Sequence, residues 1–208
     1  MPRQSGLAES LRGEIVFEAP YKNPDAVRGL DGFSHIWLIW AFSQAHRARW
    51  SATVRPPRLG GNTRLGVFAT RSPYRPNPIG LSCVALERID LDGARGPVLI
   101  VRGADLIDGT PIYDIKPYLP FTDCRPEATG GFAEPVRAYA LRVVFPEALL
   151  ALFPEDARPA LIDALSQDPR PAYQDDPARV YGMPFSGKDV RFTVEDGVLT
   201  VREVTPYP

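Results

Sequence analysis

Residues 59–80 read Leu-Gly-Gly-Asn-Thr-Arg-Leu-Gly-Val-Phe-Ala-Thr-Arg-Ser-Pro-Tyr-Arg-Pro-Asn-Pro-Ile-Gly, and the rest of the chain is read outward from them. A Gly60-Gly61-Asn62 turn opens the stretch, a strand-like run follows from Leu65 to Thr70, and three prolines then fix a loop. Pro73, Pro76 and Pro78 bring no backbone N–H, so the loop cannot join a sheet ladder. Each also biases the residue before it (Ser72, Arg75 and Asn77) towards extended backbone. A stiff loop carrying Arg71, Tyr74, Arg75 and Asn77 loses little entropy on ordering around a ligand. A plain connector has no need of two arginines and an asparagine among prolines, which favours a binding role.

On either side of this loop the pattern is that of short strands. Glu14–Glu18, Thr63–Thr70, Leu81–Asp90, Pro97–Ala104 and Ile112–Leu119 are strand candidates, separated in part by the turns Asp90-Leu91-Asp92-Gly93 and Asp108-Gly109-Thr110-Pro111. Asp25–Leu30 reads as a helical turn capped by Asn23 or Asp25. Phe33–Phe42 is a dense aromatic and apolar run that predicts a strand buried on both faces, with Trp37, Trp40 and Phe42 in the core. Many short strands with turn residues between them predict an antiparallel barrel or sandwich. No Gly-x-Gly-x-x-Gly follows a strand, so a Rossmann domain is not expected. After Gly130-Gly131 the pattern changes. Val136–Phe145 predicts a strand, Pro146–Leu152 and Arg158–Gln167 helices, and Val180–Met183, Asp189–Val194 and Val198–Val204 closing strands. The chain therefore divides into a mainly β domain over residues 1–131 and a small α+β domain over 132–208.

Composition bounds the function. The 208 residues have a formal net charge of -1, but the charges are sorted. From Gly32 to Leu86 there is no Asp or Glu, while Arg47, Arg49, Arg55, Arg58, Arg64, Arg71 and Arg75 all fall inside. Such a segment suits an anionic partner. No apolar run is long enough to cross a bilayer and no signal peptide opens the chain, so no membrane role is expected. Cys83 and Cys124 are isolated and predict a reduced, cytoplasmic protein; they and the distant His35 and His46 give no metal-type spacing.

The strings Arg-Pro-Pro-Arg-Leu-Gly-Gly at 55–61 and Arg-Ser-Pro-Tyr-Arg-Pro-Asn-Pro-Ile-Gly at 71–80 resemble the signature of the TsaA-like (TrmO) family, and Gln-Asp-Pro-Arg-Pro-Ala-Tyr at 167–173 resembles it too. The resemblance implies a non-Rossmann β-barrel that uses S-adenosylmethionine to methylate N6 of threonylcarbamoyladenosine at position 37 of tRNA, beside the anticodon. It implies donor contacts at Pro2, Arg3, Gln4, Ser43, Gln44, Arg71, Leu81 and the turn Asp108, Gly109, Thr110, Pro111, with a donor site near the boundary of a homodimer. Family members usually carry a further strand of the type Ile-Gly-x-Ile-x-Ser-Pro ahead of Pro-Arg-Gln, and often His where Ser43 stands.

The residues themselves fit such chemistry. Arg71 is a natural partner for the donor's carboxylate. The acceptor nitrogen must lose a proton, for which Asp108 and Asp114 are candidate bases, with Tyr74 or Asn77 orienting the acceptor base. Asp114 and Lys116 share a strand face and could equally be an ion pair. Arg47, Arg49, Arg55, Arg58 and Arg75 are the candidate RNA contacts. A barrel methyltransferase for a small acceptor, or a nucleic-acid-binding module without catalysis, are the alternative readings.

Overall fold

The computed structural model describes residues 4–45, 49–56, 63–136, 139–171, 174 and 176–207. The described residues form two compact units, one drawn from 4–54 and 65–128, the other from 129–207 with 55–56 and 63–64.

The first unit is built on a five-stranded sheet of β1 (Arg12–Val16), β2 (His35–Ala41), β5 (Ile79–Asp90), β6 (Val98–Arg102) and β7 (Ile112–Pro117), in the order β1-β6-β5-β2-β7. Every pairing in it is antiparallel. A two-stranded ribbon, β3 (Thr53–Val54) with β4 (Leu65–Gly66), stands apart from it. Of the predicted turn Asp25–Leu30 only the first part forms, as the 3-10 turn Pro24–Val27, with the Asn23 side chain accepting from the Asp25 N–H at 3.0 Å.

Three expectations change. The antiparallel strands form, but among the described residues no closed barrel is found, since β1 and β7 remain the ends of the ladder. The long aromatic strand β2 is not buried on both faces. Ile36, Leu38 and Trp40 point into the core, while Trp37 and Ile39 are half-buried on the other side. Trp37 has a polar reason to lie there, because its indole N–H donates to the Asp123 carboxylate at 2.9 Å and its ring leans on Tyr118. The strand with both faces buried is β6, where Val98, Leu99, Ile100 and Val101 are all inside. Third, the run Thr63–Thr70 pairs only at Leu65–Gly66. It then winds into a 3-10 turn, Val67–Ala69, held by the Thr70 hydroxyl, which donates to the Val67 carbonyl at 2.9 Å.

The core of this unit gathers Ile15, Ile36, Leu38, Trp40, Val84, Leu99 and Val101. Within it, Trp40 on β2 lies against Gly80, its cross-strand partner on β5. A Cβ at position 80 would lie 2.2 Å from the Trp40 indole. The ring lies against the glycine backbone, and its N–H donates to the buried Ser82 hydroxyl at 2.9 Å.

In the second unit, β8 (Arg142–Val144), β9 (Tyr181–Phe185), β10 (Lys188–Glu195) and β11 (Val198–Pro206) form a sheet in the order β8-β11-β10-β9, with β8 and β11 parallel. Among the described residues of the predicted strand Val136–Phe145, Arg142–Val144 alone pair, and a 3-10 segment occupies Gly131–Val136. The hairpin between β10 and β11 turns at Asp196 and Gly197, with φ of 47° and 73°, as a two-residue type I′ connection requires. Helix α3 (Arg158–Ser166), which follows the short α1 (Pro120–Asp123) and α2 (Glu147–Leu150), packs through Ala160, Leu161, Ala164 and Leu165. Ile162, next to Leu161, is half-exposed.

Beyond α3 the chain is fixed by Asp168. Its carboxylate accepts from Arg170 Nε at 2.8 Å, from Arg170 Nη2 at 2.9 Å and from the Tyr139 hydroxyl at 2.7 Å. Burial pushes this carboxyl up, but the hydrogen bonds from Arg170 and Tyr139 together outweigh it and hold the pKa below the usual range.

Two predictions follow from these contacts. Gly80→Ala forces its Cβ into the indole and should destabilise by about 1–3 kcal/mol in urea unfolding, the scale of an overpacked core; unchanged stability would mean that Trp40 moves freely. Asp168 has a folded pKa below its unfolded value of about 3.9, so its contribution is complete above that value and is lost as pH falls through the folded pKa. Asp168→Asn should therefore cost roughly 1.5–3 kcal/mol at pH 7, on the scale of charged hydrogen bonds, and much less at about pH 2. A pH-independent gap would show that the carboxylate's charge is irrelevant.

Candidate functional site

The strands of the first unit determine where the polar loops meet. In the sheet β2 lies between β5 and β7, the proline loop runs into β5, and the Asp108 turn runs into β7. Both loops reach the same end of β2. The Ala41 N–H donates to the Pro111 carbonyl at 3.0 Å, and the next N–H, of Phe42, donates to the Pro78 carbonyl at 3.1 Å. A proline cannot donate to a ladder but can accept, so each of these ends its own strand while tying its loop to β2. The chain then turns sharply, with the Ser43 N–H on the Ala41 carbonyl at 2.9 Å, and presents Ser43 and Gln44 to solvent. Three stretches singled out in the sequence thus converge on one end of one strand: 43–44, 71–80 and 108–111.

The proline loop is held by its own side chains. The Ser72 N–H donates to Thr70 Oγ1 and the Tyr74 N–H to Ser72 Oγ, each at 3.3 Å. Arg75 Nη1 donates to the Thr70 carbonyl at 3.2 Å, and the Ser51 N–H donates to the Tyr74 carbonyl at 3.0 Å. Asn77 is exposed, and its carbonyl accepts from the Ile79 N–H at 2.8 Å. Arg71 is exposed and donates to the Gln4 side-chain carbonyl at 2.7 Å, so these two candidate donor contacts adjoin.

The other loop is a tight turn. The Ile107 carbonyl accepts from both the Thr110 N–H at 3.1 Å and the Thr110 hydroxyl at 2.6 Å. Gly109 takes a φ of 72° with open space where a Cβ would stand. This conformation favours glycine and leaves the exposed Asp108 at the tip. Immediately after it, β7 carries a bulge in which Ile39 pairs with Asp114 and Trp40 with Ile112, leaving Tyr113 unpaired. Bulges re-aim side chains beside functional sites.

The two candidate carboxylates have different surroundings. Asp114 lies on the outer face of the sheet, in a row with Ile39 and Leu81. Lys116 Nζ approaches it at 2.9 Å and the Ile115 N–H donates to it at 2.8 Å. The Lys116 hydrogen bond first, and the backbone bond second, hold its carboxyl below the usual range, which makes it a poor proton acceptor. Asp108 stands at the converging loops instead. Leu81 is 52% exposed, an apolar surface two strand spacings (roughly 10 Å) from Asp114.

Ser82 and Asp105 were missed by sequence reasoning. The fully buried Ser82 hydroxyl accepts from Trp40 and donates to Asp105 Oδ1 at 2.6 Å. This relay anchors the segment leading to the Asp108 turn against β5. The signal was available, since Gly80, Ser82 and Val84 alternate onto the core face of β5 and a hydroxyl there needs partners.

Arg49 and Arg55 are exposed, and Arg75 is half-buried. Pro2, Arg3, Arg47 and Arg58 lie outside the described residues, as do the Gly60-Gly61-Asn62 turn, His46 and Tyr173. Among the described residues no group of three His, Cys, Asp or Glu could hold a metal ion, and no helix is long and apolar enough to cross a membrane.

The chain is similar to known proteins along most of its length. Residues 1–124 match the family model of the tRNA-methyltransferase O N-terminal domain, and residues 138–207 that of the TrmO C-terminal domain. The Escherichia coli (strain K12) tRNA (adenine(37)-N6)-methyltransferase is 43% identical over 217 residues, covering 99% of this chain and 91% of its own. A Pseudomonas aeruginosa relative described as an S-adenosylmethionine-dependent methyltransferase is 40% identical over 208 residues, covering 92% of this chain and 84% of its own. The crystal structure of TrmO from Pseudomonas aeruginosa superposes with a TM-score of 0.74 at 32% identity, over 98% of this chain and 89% of that one.

Proposed function

The chain belongs to the tRNA-methyltransferase O family, and from that premise we infer that it is an S-adenosylmethionine-dependent tRNA methyltransferase acting on N6 of adenine 37. The observation that carries this reading to particular residues is the closure of the β2 end by the Pro78 and Pro111 carbonyls, which brings the Arg71 loop, Ser43–Gln44 and the Asp108 turn together.

The donor set fits S-adenosylmethionine. Arg71, with Gln4 beside it, suits an amino-acid carboxylate. The exposed Leu81 surface suits an adenine face, and the Asp108–Pro111 turn offers a carboxylate and backbone groups to the ribose or the cationic centre. Pro2, Arg3, Ser43 and Gln44 complete the proposed contacts. When bound, the cofactor supplies an electrophilic methyl group on sulfonium.

The acceptor we propose is N6 of threonylcarbamoyladenosine, in the anticodon loop. A carbamoylated amine is a weak nucleophile, so its N–H proton must leave as the new C–N bond forms, and Asp108 takes it. Asp114 is the less suitable base because Lys116 already stabilises its charged form. Tyr74 and Asn77, on the stiff proline loop, orient the modified base, since displacement in line depends mainly on positioning. Arg47, Arg49, Arg55, Arg58 and Arg75 supply cations for RNA phosphates. The proposal also includes a cytoplasmic homodimer and a division between the two domains after residue 131.

Two substitutions test the assignment in a methyl-transfer assay with tRNA that carries threonylcarbamoyladenosine. Arg71→Ala should weaken donor binding by about 1.5–3 kcal/mol, the scale of a charged hydrogen bond; an unaltered donor Kd removes Arg71 from the site. Asp108→Asn keeps the shape and should lower kcat by roughly 100-fold or more. Turnover within about threefold of the parent, a small step on the barrier scale, would make Asp108 a structural turn residue.

A further inference from the structure

Beside the proline loop, the β3–β4 ribbon carries two aromatic rings outside the core. We propose that Trp50 and Phe68, flanked by Arg75, form a stacking platform for an unpaired base of single-stranded RNA. This rests on the tRNA reading above and extends it to how the loop around the target is held.

The local structure turns both rings outward. Phe68 is 70% exposed and Trp50 52%. Val67 is buried, and the 3-10 turn Val67–Ala69 that draws it inward swings Phe68 to the outside. The Val67 N–H donates to the Ala52 carbonyl at 3.0 Å, and Thr53 pairs with Gly66, so the ribbon fixes the two sides relative to each other. Trp50 and Phe68 meet with ring centroids 6.2 Å apart and planes inclined by 25°. The Arg75 guanidinium lies 6.0 Å from the Phe68 centroid and is held by the Thr70 carbonyl. The Ser51 N–H, adjacent to Trp50, ties the ribbon to the Tyr74 carbonyl of the proline loop.

The chemistry selects one class of occupant. Near-parallel exposed rings offer π faces to any base, and the arginine adds a cation–π contact and a charge for the phosphate beside that base. The sequence from Gly32 to Leu86 contains no carboxylate side chain to repel an RNA backbone. An unpaired base of a single-stranded loop, with a free π face, fits these features.

The test titrates an anticodon stem-loop RNA, and the same stem closed by an abasic loop, against the parent protein, Trp50→Ala, Phe68→Ala and the ring-retaining Trp50→Phe. The alanine variants should bind the stem-loop roughly 5- to 100-fold more weakly, the range of one lost base–aromatic stack. Their salt slope should be unchanged because no phosphate contact is removed. Trp50→Phe should retain most of the affinity, and all proteins should bind the abasic loop alike. Thermal melting checks folding, and Trp50→Leu and Phe68→Leu replace any alanine variant that melts early. Parent-like affinity in these variants overturns the platform, as does an equal loss on both RNAs. Parent-like RNA affinity with lost self-association would assign the rings to a protein contact and overturn it too. Should the parent protein neither bind the stem-loop nor methylate tRNA, the tRNA reading itself fails, and that result is distinct from failure of the platform alone.

Discussion

Two consecutive backbone donors at the end of β2 decide the layout of the first unit. Ala41 and Phe42 give their N–H groups to the carbonyls of Pro111 and Pro78. Had either acceptor been a residue with its own N–H, the ladder could have continued and the loop would have become more strand. Proline offers an acceptor without a donor, so pairing stops on both flanks at the same level. The loops are released from the sheet where they remain tied to it. Binding elements on a rigid frame need both conditions.

The two sides of β2 then take different tasks. The side with Ile36, Leu38 and Trp40 builds the core. The other side, with Trp37 and Ile39, lines up with Cys83 and Leu81 on β5 and with Lys116 and Asp114 on β7. Trp37 is kept from the core by its bond to Asp123. The Asp123 carboxyl is held below its usual range by the Leu119 N–H and the Trp37 indole, so it stays charged and continues to accept. The half-exposed face is therefore stabilised by polar contacts rather than by burial alone.

Much of this was legible in the sequence, for identifiable reasons. Prolines constrain backbone wherever they stand, so the character of 71–80 could be read without tertiary information. Likewise, Asp108-Gly109 announces a turn and Asp196-Gly197 a hairpin, and both form. What could not be read was decided by distant partners. Nothing local says that the indole of Trp37 meets Asp123, 86 residues away, so β2 looked apolar on both faces. Thr70 was counted as a strand former, but its hydroxyl back-bonds to Val67 and winds the chain. The relay from Trp40 through Ser82 to Asp105 joins three elements. Only the polarity of one core-facing position hinted at it.

The contact between Trp40 and Gly80 constrains how this sequence can drift. Any side chain at 80 meets the indole ring at once, so no first step at that position is neutral while Trp40 is present. A smaller residue at 40 leaves a void and strands the Ser82 hydroxyl without its donor. Each residue thus blocks change in the other, and only a paired replacement passes. Because Gly80 is the last residue of the proline string, this mutual veto extends to the edge of the site. The loops can vary while the position from which they spring stays fixed.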